Sequence, residues 1–421
     1  MATRAEREAG REKVTETRRV TDTPTIDSSK SAPRGAGAVV AVRKLFGAET
    51  ANFYLLLGTT LFLVAFGLVM VLSASSVTSY TESQKFFGGI ERQALFAAIG
   101  LPIMLLASRA PAIFWKKWAP VAIVVALGLQ LLTVATPLGY SVNGNQNWIQ
   151  VGGFSFQPSE TIKLAMVVWM ALVLARKQAV LRNWKELVMP LAPIAIAAIV
   201  LVMAGGDLGT ASILTIMVFG TLYFAGARLV HLGTAFLAMG SLAAIVLFSG
   251  GSSRMVRISA WQGGCVTTDD GLGTCWQTLH GWWALASGGI FGVGLGNSKS
   301  KWNWLPEADN DFIFAIIGEE LGLLGAVTVL ALFVVMLIAF VRIIRANRDP
   351  FARIAVSAIM VWLIGQAFVN IAVVLGVLPV LGVPLPLISA GGTALISGMA
   401  AIGIALSFAR KSAEQRQRVT R

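Results

Sequence analysis

Carboxylates and cations sit where so apolar a chain has least reason to keep them. Glu307, Asp309 and Asp311 fall close together in LPEADNDFIFAIIGEELG, and Glu319 and Glu320 follow one to two turns into an otherwise apolar helical run. An ionisable group at membrane depth is costly and is a functional candidate by default. At a lipid-facing helix end a carboxylate has its pKa raised by desolvation, which suits a general base; capping and ion pairing account for some of the neighbouring acids. Lys299 and Lys301 precede the run. In GGFSFQPSETIKLA, Pro158 opens a helix, Ser159 caps it and Glu160 lies in its first turn. Glu160 and Lys163 would then stand at the mouth of a cavity, where an ammonium meets a phosphate. In RMVRISAW, Arg254 and Arg257 are three apart and share a helix face; an anionic partner, lipid headgroup or diphosphate, suits them better than simple lipid anchoring. Asp207 in GGDLGT either caps the next helix or contacts a ligand. Two histidines and two cysteines leave little room for a zinc or iron–sulfur site. A divalent cation, magnesium or manganese, would suit the chemistry, but no ligand spacing specifies one.

The elements that position these groups must lie in lipid. Of 421 residues 56% are hydrophobic and 13% charged, and the mean hydropathy is +0.72; a soluble domain carries roughly 25% charged residues. Ten apolar segments are legible, at 53–75, 92–108, 117–136, 160–176, 187–204, 209–225, 229–249, 312–341, 353–376 and 386–408. The expected fold is therefore all-α and polytopic, with ten transmembrane helices and a large extracytoplasmic loop (250–311) between the seventh and eighth. An even number of spans puts both termini on one side. That side holds 27 of the 34 lysines and arginines and a net +17 against −4 on the other, which makes it cytoplasmic. The net charge of +13 is thus an orientation signal, and a nucleic-acid partner loses its support. Residues 1–50 read as a disordered cytoplasmic tail without the apolar core of a cleaved signal, 51–409 as the membrane domain, and 410–421 as a basic cytoplasmic tail.

Both cysteines, Cys265 and Cys275, lie in the long loop around CVTTDDGLGTC, in an oxidising compartment, and are expected to form a structural disulfide. His280 sits among Trp276, Trp282 and Trp283, a composition suited to an aromatic belt at headgroup level. LPVLGVPLPLISAGGTALISG (378–398) sets Pro384 and Pro386 ahead of the last span, the pattern of a broken helix whose backbone faces a cavity. The residues alone describe an outward cavity of mixed charge; a transporter, a channel and an enzyme acting on a lipid-linked substrate all stay open.

Three motifs narrow that choice. The run VNG…NWI…FSFQPSE, LPEADNDFIFAIIGEELG and PLPLISAGG occur in that order on the outer loops, and across residues 50–408 the chain resembles the SEDS family (shape, elongation, division and sporulation). The wording GLGNSKSKWNWLPEA and the long polar N-tail are more similar to its division branch than to its elongation branch. The resemblance implies a membrane glycosyltransferase at the division septum. It would polymerise lipid II, an undecaprenyl-pyrophosphate-linked disaccharide-pentapeptide, into β-1,4 glycan at the outer face of the cytoplasmic membrane. It implies Asp311 as the essential carboxylate, taking the proton from the acceptor 4-hydroxyl in an inverting transfer. Glu160, Lys163, Arg254, Arg257, Lys301, Glu307, Glu319, Ser389, Gly391 and Gly392 are the implied substrate-binding positions. A class B penicillin-binding protein and other division proteins are the implied partners, with membrane lipid beside the basic C-tail. A lipid II flippase and an elongation-type polymerase are the alternatives. Two positions depart from the family pattern: Asn143–Trp148 lacks the usual arginines, so no phosphate contact is carried over to that loop, and Ala390 stands where a tyrosine is usual.

Overall fold

The computed structural model describes residues 50–142, 145–151, 154–178, 184–237, 240, 261–262, 265 and 275–419. In chain order these form α1 (Ala51–Ser83), α2 (Gly88–Ala107), α3 (Ala112–Ala135), β1 (Gly139–Val142), β2 (Asn145–Val151), β3 (Phe154–Phe156), α4 (Pro158–Arg176), α5 (Trp184–Ala204), α6 (Leu208–Ala225), α7 (Trp276–Gly288), α8 (Ile313–Ala346), α9 (Pro350–Val374) and α10 (Gly392–Val419). A further helical stretch covers 229–237. Eight of the described helices are long and apolar enough to cross a membrane, and α5 contributes a shorter apolar stretch, Leu191–Ala204. The molecule is a mostly helical, multi-pass membrane protein.

Local chemistry sets the helix ends. Thr50 Oγ1 accepts from Phe53 N at the start of α1 (3.2 Å), Pro158 and Pro350 occupy first turns, and Gly226 closes α6 in the left-handed region at φ 93°. Burial then separates the helices. In the apolar windows of α4 and α9, 78% of residues are buried, and 72% in α10, against 22% in α2 and 28% in α3. The centre is therefore α4, α9 and α10, with α2 and α3 turned to lipid. α9 packs on α4, α6 and α8, and α8 also packs on α1 and α7.

Of the ten expected spans, nine have a helical counterpart at their place; the seventh, 229–249, is helical to 237 and otherwise falls outside the described residues. Three features differ from expectation. First, the fold is not purely helical: the loop 137–159 holds a three-stranded antiparallel sheet in the order β1-β2-β3, pairing Tyr140 with Trp148 and Ile149 with Phe156. These short runs satisfy their backbone groups in ladders, and the sheet is tied down where Gln146 N donates to Gly205 O (2.9 Å) and Gln130 Nε2 to Asn147 Oδ1 (3.3 Å). Second, α1 runs eight residues past the expected 75, through a serine-rich end whose hydroxyls bond back to the helix: Ser75 Oγ donates to Val71 O (2.7 Å) and Thr81 Oγ1 to Val77 O (3.2 Å). Third, the last helix starts at Gly392 rather than 386. The residues before it, with Pro384, Pro386 and Leu387 at φ 67°, are non-helical. α10 also continues to Val419, into the stretch read as a tail.

Candidate active site

Asp311 lies in a run of turns just before α8 and is half-buried. Its main chain is held by the non-helical segment 378–391 and by α9. Asn370 Nδ2 donates to both Asp311 O and Val383 O, each at 2.7 Å. Ser389 Oγ donates to Asn310 O (2.7 Å) and accepts from Leu385 N (2.8 Å), while Ala390 N donates to Asp309 O (2.8 Å). Gln93 of α2 closes the far side, donating through Nε2 to Ser389 O (3.0 Å) and accepting from Gly391 N (3.2 Å). Gly382, at φ 71°, brings bare backbone up to the carboxylate: a Cβ there would sit 3.5 Å from Asp311 Oδ2. Gly392 is needed for another reason, since a Cβ would strike the ring of Phe96 (2.3 Å).

Beside this junction lies a small cleft, whose lining includes Glu160, Trp362, Gln366, Pro384 and Ser389. At its wall lies a buried ion pair, Lys163 Nζ to Glu160 Oε1 at 2.7 Å, with the two side chains 2% and 3% exposed. Every charge in it is matched. Lys163 Nζ also donates to Gln366 Oε1 (3.1 Å) and stands 5.2 Å from the centre of the Trp362 ring; Ser397 Oγ donates to Glu160 Oε2 (3.0 Å). Gln366 Oε1 accepts from Trp362 Nε1 as well (3.0 Å), and Gln366 Nε2 donates to Pro384 O (2.9 Å). One amide thus links the ion pair to the broken segment that holds Asp311.

Asp207, in the turn before α6, caps that helix by accepting from Thr210 N (2.8 Å) and also accepts from Gln157 Nε2 (3.1 Å). Gln157 N in turn donates to Thr393 Oγ1 (3.2 Å), so the N-terminal ends of α4, α6 and α10 share one knot. Burial pushes the Asp207 carboxyl above its ordinary 3.8, against the lowering effect of its bonds from Thr210 and of the Lys163 charge.

The sequence-predicted residues divide into groups. Glu160, Ser389 and, through Gln366, Lys163 gather at the cleft, with Asp311 and Gly391 joined to the same broken segment. Glu307 is exposed at φ 55°, its carbonyl accepting from Phe312 N (3.1 Å) and its carboxylate from Asn310 Nδ2 (3.3 Å). Lys301 and Glu319 lie in a second buried cluster under the outer loop, with Ser298, Glu320 and Ser73. Cys265 and Cys275 are disulfide-bonded, their Cα atoms 5.4 Å apart. The His280 ring centre lies 3.9 Å from that of Trp276 and 5.9 Å from that of Trp304, and the two tryptophans stack on each other at 6.0 Å. Arg254 and Arg257 lie outside the described residues. Among the described residues no three His, Cys, Asp or Glu side chains converge as a metal site would need. Sequence reasoning passed over Gln93, Gln366 and Asn370, although an amide inside an apolar span is itself a signal.

A family model described as "Cell cycle protein" matches residues 53–414. The chain is 38% identical over 368 residues to the probable peptidoglycan glycosyltransferase FtsW of Mycobacterium tuberculosis, covering 87% of this chain and 70% of that one. It is 35% identical over 365 residues to stage V sporulation protein E of Bacillus subtilis, covering 86% and 98%. Among solved structures, a chain from "Structural coordination of polymerization and crosslinking by a peptidoglycan synthase complex" superposes with a TM-score of 0.70 at 25% identity over 85% of this chain and 97% of that one. The rod shape determining protein RodA of Thermus thermophilus superposes at 0.63 and 24% identity, over 85% and 96%.

Proposed function

The chain belongs to the FtsW/RodA/SpoVE family, the SEDS proteins, and from that premise we propose that it is a peptidoglycan glycosyltransferase of the division branch, polymerising lipid II into β-1,4 glycan. Ten spans with both termini cytoplasmic complete the reading. The helical stretch 229–237 opens the seventh span, and the bias of lysine and arginine supports the orientation. The chemistry would then take place at the outer face, at the septum. A class B penicillin-binding protein is the proposed cross-linking partner, in keeping with a structural neighbour that comes from a polymerization and crosslinking complex.

Asp311 is the proposed base. Transfer with inversion at the anomeric carbon needs one base on the face opposite the leaving diphosphate. The carboxylate takes the acceptor 4-hydroxyl proton as the new glycosidic bond forms and the bond to the diphosphate breaks. Proton removal of this kind is typically worth about 10²–10⁴-fold. Positive charge must meet the departing diphosphate. Lys163 and Lys301 are held by carboxylates, so Arg254 and Arg257 in the outer loop are assigned that task. The observation that carries the reading is the Asp311 carboxylate set against Gly382, on a backbone fixed by Asn370 and Ser389, beside the cleft. Purified protein with labelled lipid II tests it. Wild type yields glycan on a gel, and Asp311→Asn, equally folded, yields on the order of 10²-fold less or below. Full activity in that variant refutes the role, and translocation without polymer makes the protein a transporter instead.

A further inference from the structure

The acids of α8 that the cleft does not use are among the best-buried charges in the protein, Glu319 at 2% and Glu320 at 0% exposure. They stand where α8 is interrupted by Gly322, whose φ 68° and ψ −164° are open to glycine alone. Such a break frees backbone groups that lipid cannot satisfy. The segment after α7 takes them: Val293 N donates to Glu319 O and Gly294 N to Glu320 O (3.0 Å each), while Leu323 N and Leu324 N donate to Gly289 O (2.9 Å) and Ile290 O (3.2 Å). The side chains of the same two glutamates grip the next stretch of chain. Glu319 accepts from Ser298 Oγ (2.6 Å) and Lys299 N (3.0 Å). Glu320 pairs with Lys301 Nζ (3.3 Å) and accepts from Ser73 Oγ of α1 at 2.6 Å.

Lys301 opens the run of turns that ends at Asp311. Five side chains of this strap, Trp302, Asn303, Trp304, Pro306 and Glu307, are exposed; Leu305 and Ala308 are buried, Leu305 N donates to Ser300 O (2.9 Å) and Phe312 N to Glu307 O (3.1 Å), and Gln277 Nε2 of α7 donates to Pro306 O (3.2 Å). Asn303 and Glu307 hold positive φ (63° and 55°), a conformation that persists only where the surroundings impose it. Its middle hangs from α7 by Trp276 Nε1 to Trp304 O (2.8 Å), and its far end is fixed by Asn370, Ser389 and Ala390. The near end is fixed by the Glu320–Lys301 pair. We propose that Glu320 is a positioning residue for Asp311: together with Lys301 and Ser73 it anchors the near end of the strap and so sets where the carboxylate stands, without touching substrate. On this account Lys301 and Glu319 are also parts of the anchor. The proposal rests on the reading of Asp311 as the base of a glycosyltransferase.

Two readouts on the full-length protein in nanodiscs test it: backbone hydrogen exchange over 298–311, which needs no turnover, and lipid II polymerisation resolved into kcat and KM. Glu320→Gln keeps the shape and removes the charge. It should speed exchange across 298–311 and lower kcat by on the order of 10–100-fold, as a small misplacement of a reacting group does, with KM for lipid II unchanged. Ser73→Ala, a milder change that tests the same anchor if Glu320→Gln does not fold, should move both readouts in the same direction. Lys301→Arg should retain more kcat than Lys301→Met. The proposal is overturned if exchange and kcat in the folded variants match wild type, or if Lys301→Met raises KM with kcat intact, which would make that ammonium a substrate contact. If wild type makes no glycan while Glu320→Gln still loosens 298–311, the anchor stands and the glycosyltransferase reading alone is lost.

Discussion

Removing Lys163 alone from the buried Glu160–Lys163 pair should cost far more than removing both partners. In Lys163→Met the Glu160 carboxylate, 3% exposed, keeps only the hydroxyl of Ser397 among its charge-stabilising bonds described above. An uncompensated buried charge of that kind costs about 3–5 kcal/mol. Glu160→Gln leaves the ammonium facing the Gln366 oxygen and the Trp362 ring, so the loss there is nearer that of one hydrogen bond to a charge, about 1.5–3 kcal/mol. The double variant carries no charge: Gln366 still accepts from Trp362, and Ser397 still has an oxygen to meet. Replacing both ions by neutral groups of similar volume is often close to neutral, so the double should lose only about 1–2 kcal/mol. The interaction energy is then about 3 kcal/mol or more, at the upper end for side chains in contact. Reversible unfolding of the four proteins in mixed micelles measures it. If Lys163→Met loses under about 1 kcal/mol, or the single losses simply add in the double, the pair is not the closed network described and the reasoning fails.

Two further outcomes follow from single positions. Burial raises the Asp207 carboxyl above 3.8, so the folded protein holds this proton longer than the unfolded chain does. Its contribution to stability is fully present below pH 3.8 and is lost as pH rises through the folded value. Asp207→Asn keeps an oxygen for Thr210 N, so the stability of wild type relative to this variant should fall as pH rises from about 4; a difference that is flat in pH refutes the assignment. At Gly322, where a Cβ would meet Gly292 N and Ile290 O at 2.4 Å, alanine should cost at least the roughly 1–3 kcal/mol of a strained backbone. Gly128 in α3 has nothing within 4 Å of such a Cβ, and there alanine should gain about 0.5–1 kcal/mol; thermal unfolding of both variants checks the contrast.

Much of the scaffold was legible because lipid leaves few choices. A run of about 20 apolar residues must be a helix there, and nine of the ten expected segments have a helix at their place. The charged candidates were legible for the same reason, since Glu160, Lys163, Glu319 and Glu320 stand out against apolar neighbours. Their partners were not. Nothing in the spacing tells that Lys163 meets Gln366, 203 positions away, or that Glu320 meets Ser73, 247 away. Lys163 and Lys301 read as open cations for a phosphate, yet each is closed by a carboxylate, because a lone buried charge is the costlier arrangement. The sheet of the 137–159 loop was missed because its strands, three to seven residues long, are too brief for a period of two to stand out from turn chemistry.

The amides of the spans explain why the site is where it is. Segment 378–391 abandons the helix between α9 and α10, and the groups it frees must find partners inside the protein. Asn370 takes Val383 O, Gln366 takes Pro384 O, Gln93 takes Ser389 O and Gly391 N, and Ser389 takes Leu385 N. Three of these side chains also bond to the strap and the ion pair: Asn370 Nδ2 donates to Asp311 O, Ser389 Oγ to Asn310 O, and Gln366 Oε1 accepts from Lys163. The same few polar groups therefore satisfy a broken backbone and orient a carboxylate. Changing any of them to an apolar residue leaves a buried peptide group unpaired, at about 1–3 kcal/mol, and at Asn370 or Ser389 the change also frees one hold on the backbone at Asp311 or Asn310. Stability and activity are bound to fall together at Asn370, whereas Asp311→Asn, which leaves these backbone bonds in place, should lower activity more than stability.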